Sequence, residues 1–369
     1  MSLNRILFPL FFVIFSACSE LNSHIELQEL SNSSSVFVPE YYSDHIKQKE
    51  EQINDAISLA KDNYASLVFF TDAHWGANHR KSPALINHII HNTPIDDVVF
   101  GGDVITTAFD NPNEAYALGK SFRMAYDTLT CNLYYLYGNH DNNSDVHPNE
   151  EDIHLTDEQV YSYLQLGMGD CIYGNYFNFY YDRPASRTRF ICLDTGRFYY
   201  SKFRISSYDT IQFLINALNE TPSGWMIVVL SHFWYDLDQG KPRKVYLSSF
   251  MRSFIAVLDN YNARAEGEFI YQGKSVAYDF SDALSSIICC IGGHCHVDSI
   301  NYSDGGIPIF ITTTDSKQTM NGEDSTEGTI NEQAISVFLF DYQNNIIKLF
   351  RIGRGNDIAV NLKNTCNYM

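Results

Sequence analysis

The sequence predicts an α/β fold, and three observations predict it. Short apolar runs recur at Leu67–Phe70, Val98–Phe100, Leu133–Tyr137, Phe190–Leu193, Met226–Leu230, Ile287–Ile291 and Ile307–Ile311. They are rich in β-branched and aromatic residues and read as strands buried on both faces. Segments of helical period lie between several of them, which is the alternation of an α/β chain. Near the end, Ile335–Phe340 and Ile346–Arg351 flank Asn344-Asn345 and read as an added antiparallel hairpin.

In chain order, the first element is an address. Arg5 precedes an apolar run, Ile6–Phe15, which is too short for the roughly 20 residues of a spanning helix and fits the core of a secretory signal. The run ends in Phe15-Ser16-Ala17-Cys18, which resembles the lipobox of bacterial lipoproteins, with Phe15 where Leu is usual. The rival is an ordinary cleaved signal, but Phe15 is too bulky for its small-x-small site. Residues 1–17 are thus expected to be a lipoprotein signal peptide and Cys18 the lipidated residue, its acyl chains anchoring the protein in a bacterial membrane. Ser19, rather than Asp, after the Cys points to the outer membrane or its periplasmic face. Residues 18–40 are Ser/Asn-rich and read as a tether.

Asp44–Lys61 places Ile46, Ile53, Ala56, Ile57 and Ala60 on one helical face, and Asn113–Leu129 does so with Ala115, Leu118, Phe122 and Ala125. Thr156-Asp157-Glu158-Gln159 is a capping box opening a helix through Leu164. Ser207–Leu218 and Lys244–Leu258 are further helical stretches. No repeat or linker divides the body, so one domain is expected over 41–355, followed by a tail over 356–369.

Composition narrows the function. The 369 residues carry 25 basic and 44 acidic side chains, a formal charge of −19, which argues against tracking a nucleic-acid backbone. A phosphate-bearing substrate stays open, because a bound divalent cation reverses the local field. With Cys18 removed, Cys131, Cys171, Cys192, Cys289, Cys290, Cys295 and Cys366 remain, an odd number with no C-x-x-C. Buried thiols are therefore expected, not a disulfide scaffold or a zinc ribbon.

The chemistry lies where strands end. After the apolar runs come Asp72-Ala73-His74, Gly101-Gly102-Asp103, Gly138-Asn139-His140-Asp141, Ser231-His232 and Gly292-Gly293-His294-Cys295-His296. The carboxyl edge of an α/β sheet is where ligand sites form. All the donors are N or O, the kind that holds Mn, Fe or Zn. In an extended segment residues i and i+2 share a side, so Asp72 with His74, and His294 with His296, are expected to aim inward as pairs. Asp103, with two oxygens, has the capacity to bridge two ions, and Asn139 offers an oxygen without charge. His140 is left beside the site with its ring free to move a proton.

Singly, these motifs are weak: D-x-H is common, Gly-Gly-Asp is usually a turn, and a lone His232 usually packs. Gly-Asn-His-Asp is sharper, expected by chance on the order of once in a thousand chains of this length. The five in this order, each at a strand end, outweigh the bland alternatives.

Together they resemble the calcineurin-like metallophosphoesterases, whose blocks run D-x-H, G-D, G-N-H-D/E, H and G-H-x-H; the resemblance spans about residues 65–315. It implies a four-layer αββα sandwich, two central mixed β-sheets flanked by helices, around two divalent metal ions (Mn, Fe or Zn). Residue by residue it implies that Asp72, His74 and His296 hold one metal, that Asn139, His232 and His294 hold the other, and that Asp103 bridges them. It further implies that His140 protonates the leaving oxygen and that Asp141 orients the His140 ring. The implied function is hydrolysis of a small phosphate ester, diester or monoester, by attack of a metal-bridging hydroxide.

Departures from the family's subgroups narrow this. Gly102-Asp103-Val104-Ile105-Thr106 and Tyr137-Gly138-Asn139 lack the extended second block and the Arg of the phosphoprotein phosphatases. Thr106 and Thr107 stand where the purple acid type supplies a Tyr ligand. Charge and the secretion signal disfavour a repair nuclease. The rival from another class is a non-catalytic surface lipoprotein using the fold as a binding module, with Tyr180, Tyr181, Tyr199, Tyr200 and Trp234 on its loops. Arg183, Arg187, Arg189 and Arg197 surround a strand, where one has the charge to meet a second substrate phosphate but solvated surface is the default.

Overall fold

A computed structural model describes residues 37–75, 80–95, 97–105, 109–144, 151–174, 177–196, 206–234, 237–238, 241–242, 249–271, 273–317 and 325–362. The expected signal, Cys18 and most of the expected tether lie outside these residues. Among the described residues no helix is long and apolar enough to cross a membrane.

The elements run α1 (Ser43–Ala60), β1 (Tyr64–Phe70), α2 (Ser82–Asn92), β2 (Asp97–Phe100), α3 (Pro112–Tyr126), β3 (Asn132–Tyr135) and α4 (Asp157–Leu164). There follow β4 (Ile172–Tyr173), β5 (Phe179–Arg183), β6 (Thr188–Leu193), α5 (Ser206–Asn219), β7 (Met226–Ser231), β8 (Leu237–Asp238), β9 (Lys241–Pro242) and α6 (Ser249–Asn262). The chain closes with β10 (Glu266–Tyr271), β11 (Lys274–Asp279), β12 (Ser286–Gly292), β13 (Ser299–Tyr302), β14 (Pro308–Ile311), β15 (Ala334–Asp341), β16 (Ile346–Gly353) and β17 (Ile358–Asn361).

Two large mixed sheets form, one ordered β17-β16-β15-β1-β2-β3 and the other β13-β14-β12-β7-β6-β5-β4. Each has a parallel centre, β1-β2-β3 in the first and β6-β7-β12-β14 in the second, with antiparallel strands outside. Strand alternation explains why the central runs are apolar throughout. Leu67, Phe69 and Val99 face Phe190, Val228, Cys289 and Phe310 between the sheets. Val68, Phe70, Val98 and Phe100 face the other way, onto Phe122 and Tyr126 of α3 and Ile86 of α2. Across the second sheet, Ile191, Ile227, Val229 and Ile309 pack on Leu214 of α5 and on Phe254 and Leu258 of α6. The four expected layers are therefore present.

The capping box is complete: Gln159 N donates to Thr156 Oγ1 at 3.3 Å while Thr156 N donates to Gln159 Oε1 at 2.9 Å. The helix expected to reach Leu129 stops at Tyr126, and the strand expected to reach Tyr137 stops at Tyr135. The expected tail is corrected in part: β17 pairs antiparallel with β16 and carries Val360 into the core. The β10–β11 hairpin has no apolar run of its own because β11 alternates exposed and buried positions. Cys192, Cys289, Cys290 and Cys295 are free and buried, as expected, whereas Cys131 and Cys171 are free but only half-buried.

Behind the carboxyl edge lies a buried carboxylate, Asp315. Its Oδ1 accepts from Gln333 Nε2 at 2.8 Å and Ala334 N at 2.9 Å, and Ser82 Oγ donates to Oδ2. Burial pushes its carboxyl up to about 6, although the bonds from Ser82, Ala334 and Gln333, and Arg354 nearby, pull the other way. The folded state thus favours the proton. That contribution is complete below the ordinary value and is lost as pH rises through about 6. Unfolding curves of wild type and Asp315→Asn are expected to diverge by roughly 2 kcal/mol between pH 4 and pH 7, in favour of the variant as pH rises. A constant offset across that range refutes the assignment.

Candidate metal centre

The parallel strands of both sheets end on one edge, and there the donors converge. Asp72, His74 and His296 bring ligand atoms within 4.8 Å of one another, and so do Asp103, His232 and His294. Asn139 completes the second group, its Oδ1 lying 3.1 Å from His232 Nε2 and 2.8 Å from His294 Nδ1. Asp103 also groups with His74 and His140 and so stands between the two sets. All seven expected ligands therefore share one site.

Two of the rings are oriented by backbone carbonyls in the way that suits a ligand. His74 Nδ1 faces the Ile105 carbonyl at 3.1 Å, and His232 Nδ1 faces the Gly101 carbonyl at 2.7 Å. A proton on each Nδ1 leaves each Nε2 with a bare lone pair. His74 Nε2 then meets His296 Nε2 at 3.1 Å. His232 Nε2 meets Asp103 Oδ2 at 3.2 Å and Asn139 Oδ1 at 3.1 Å. Such a gathering of imidazole nitrogens and carboxylate oxygens, away from water, is stabilised by a positive charge among them, a proton or a metal ion.

The fields say the same. Burial opposes charge on His232, yet Asp103 and Asp72 push that ring up to about 10, so a proton takes the place a cation would fill. Burial pushes His74 down to about 4 and His294 down to about 3, leaving both neutral and ready to ligate. The Asp103 carboxyl is held well below its ordinary range, against burial, by His232 and His140.

The backbone achieves the aim differently from expectation. Asp72, His74, Asp103, His294 and His296 all stand at positive φ, between 39° and 67°. The paired ligands are therefore not neighbours on an extended segment; left-handed turns after β1 and β12 swing them inward. The reason is crowding at the strand ends. A Cβ on Gly102, itself at φ 97°, would come within 2.7 Å of Gly138 N and 2.8 Å of His232 Nδ1, so only glycine fits.

His140 lies at the rim, 16% of its side chain exposed, with Nε2 3.8 Å from Asp103 Oδ2 and its ring edge-on to His74. Its backbone N–H donates to Asp103 Oδ1 at 2.9 Å. The role expected of Asp141 is corrected. Its carboxylate accepts from the backbone amides of Gly138 at 2.7 Å, Val104 at 2.7 Å and Asp103 at 3.1 Å, not from the His140 ring. Those bonds tie the second and third motifs together, so Asp141 shapes the loops. Burial and the Asp103 charge push its carboxyl up to about 7.

The aromatic platform of the binding-module alternative is absent from the described residues: Tyr180, Tyr181 and Trp234 are buried, and Tyr199 and Tyr200 lie outside them. Arg183 pairs with Asp97, and Arg189 pairs with Asp182 at 2.8 Å, so both serve structural ion pairs. Arg187 lies in the turn between β5 and β6, and Arg197 is outside the described residues.

A sixth strand end escaped the motif reading. Leu193-Asp194-Thr195-Gly196 follows β6, Asp194 is buried, and a Cβ on Gly196 would come within 2.7 Å of the Gly138 carbonyl carbon. The same signal, an acid and a glycine after an apolar run, marked it. Asp194 joins none of the donor groups.

Fold and site define a metallohydrolase with a dinuclear centre of Asp, Asn and His donors at the edge of a two-sheet sandwich. The chain belongs to the calcineurin-like phosphoesterase family, whose model matches residues 65–298. It is thus a metallophosphoesterase, a phosphoric ester hydrolase, using two divalent ions. Among solved structures it resembles a dimetal phosphatase from Danio rerio, with a TM-score of 0.52 at 13% identity, over 81% of this chain and 99% of that one. No curated protein matches the chain.

Proposed function

We propose that the protein hydrolyses a small phosphate ester, diester or monoester, while anchored to a bacterial membrane through lipidated Cys18. The observation that carries the hydrolytic reading is the convergence of seven N and O donors, from five strand ends, with His140 open beside them. Asp72, His74 and His296 would hold one ion and Asn139, His232 and His294 the other, with Asp103 shared. Two such ions, when bound, supply a nucleophilic water at neutral pH and neutralise phosphoryl oxygens. His140 donates its proton to the departing ester oxygen. Asp141 keeps the loops of Asp103 and Asn139 in register, so that both donors and the His140 ring hold their places. Five of the donors, Asp72, His74, Asp103, His232 and His296, are buried imidazoles or carboxylates, which keep water from all but the rim.

The anchoring reading rests on Phe15-Ser16-Ala17-Cys18 and the polar tether after it. It places the site outside the cytoplasm, on the outer membrane or its periplasmic face. Mass spectrometry of the membrane fraction is expected to find a diacylglyceryl Cys18 N-terminus; an unmodified N-terminus refutes it.

The activity is tested on metal-reconstituted protein lacking residues 1–18. Turnover of bis(p-nitrophenyl) phosphate or of a member of a phosphate-ester panel is expected, and chelation abolishes it. Full metal occupancy with no turnover across the panel supports the binding module instead.

A further inference from the structure

The five residues after β14 form a buried strip, Thr312-Thr313-Thr314-Asp315-Ser316, that touches two ligand loops from opposite sheets. Thr314 Oγ1 donates to the Asp72 carbonyl at 2.7 Å. Thr313 Oγ1 donates to the His296 carbonyl at 3.0 Å. Asp315 N donates to the Thr71 carbonyl at 2.9 Å, and Thr312 N to the Gly292 carbonyl at 2.9 Å. The strip is itself held from behind: Arg354 donates to the carbonyls of Thr314 and Ser316, and the Asp315 carboxylate is fixed by Ser82, Gln333 and Ala334.

The two carbonyls that the threonine hydroxyls hold belong to left-handed ligands, Asp72 at φ 53° and His296 at φ 54°. Such a backbone is unfavourable for a residue with a Cβ and persists only where its surroundings over-determine it. Both residues also belong to the same donor set. Neither hydroxyl bonds to Asp103, Asn139 or His232; of the second set only His294 shares the clamped turn, its N–H donating to Asp72 Oδ2 at 3.0 Å. The strip lies beyond the family match, which ends at residue 298.

We propose that Thr313 and Thr314 are positioning residues chiefly for one ion of the pair: by fixing the Asp72 and His296 carbonyls they set the affinity of the Asp72/His74/His296 set, and act much less on the Asn139/His232/His294 set, of which only His294 shares a clamped turn. This rests on the two-ion reading above. Each hydroxyl holds the carbonyl of one ligand turn, which makes the first set's geometry depend on a segment remote in sequence.

The test titrates Mn²⁺ into metal-stripped full-length protein, followed by calorimetry and by electron paramagnetic resonance. Wild type is expected to take up two ions, with the signature of a coupled pair. Thr314→Val and Thr313→Val keep the side-chain shape and lose the hydroxyl. Each is expected to weaken one binding step about 10–100-fold, the range for loss of a ligand's supporting bond, and to change the other step by less than about 3-fold. Asp72→Ala, which removes one set outright, identifies the surviving step. At one equivalent the valine variants should show an isolated ion, and Thr314→Ser should restore the pair. Unchanged affinity at both steps overturns the proposal. So does equal weakening of both, which is the mark of a general structural role. If Thr314→Val does not fold, Thr313→Val carries the test from the other loop; failure of both to fold makes the threonines structural and also overturns it. Wild-type uptake of fewer than two ions would instead remove the two-ion reading itself.

Discussion

Asp103→Asn is expected to lose metal and activity together, with turnover falling by on the order of 10³ or more, as when a central electrostatic element of a metal site is removed. The carboxylate belongs to donor groups on both sides of the centre. Its Oδ1 accepts from His140 N at 2.9 Å and its Oδ2 stands 3.2 Å from His232 Nε2. Asparagine keeps the shape but has one acceptor oxygen and no charge. It therefore cannot serve two cations, and its amide presents a donor to rings that already offer lone pairs or protons. Elemental analysis beside steady-state kinetics checks this; a variant with normal metal content and normal rate defeats the shared-ligand assignment.

His140→Ala is expected to lower kcat by about 10²–10⁴ on alkyl phosphate esters, the range for losing a general acid. The fall should be far smaller on aryl esters, whose leaving groups depart unprotonated. Metal content should stay near wild type, because His140 Nε2 lies 3.8 Å from Asp103 Oδ2, at the rim of both donor sets. Equal losses on alkyl and aryl substrates would take the proton-donor role away from His140. Asp141→Asn separates the two residues further. Because Asp141 binds three backbone amides and not the ring, its loss should disturb metal affinity as well as kcat.

The donors were legible because each motif is local. An apolar run followed by glycine and a cluster of Asp, Asn or His puts its message within a few residues, and the strand periods around it need no partner to be read. Asp194 carried the same local signal after β6 without forming part of a donor group, so the signal marks the edge and not the ligand. Where local rules gave the wrong geometry, a remote backbone was the cause. Asp72 and His74 do not alternate along a strand, because Asp72 N is taken by the Gly102 carbonyl at 2.9 Å and His74 N by the Asp103 carbonyl at 3.1 Å, which bends the segment left-handed. Asp141 looked like a partner for its neighbour in sequence, but amides of residues 103 and 104 satisfy it instead.

Composition, periodicity and motif order are properties of the chain alone, and they were enough for the α/β class and the donor clusters at the strand ends; the four-layer sandwich and the role of each donor were what the family resemblance of those motifs implied. Assembly settled the rest: that the donors meet at one edge, which backbone carbonyls the His74 and His232 rings face, and that a threonine strip 242 residues along the chain from Asp72 clamps its carbonyl. Those outcomes depend on hydrogen bonds between segments that meet only when the two sheets pack. A residue pattern encodes the donors a segment brings, whereas the directions of their lone pairs follow from backbone contacts made after folding.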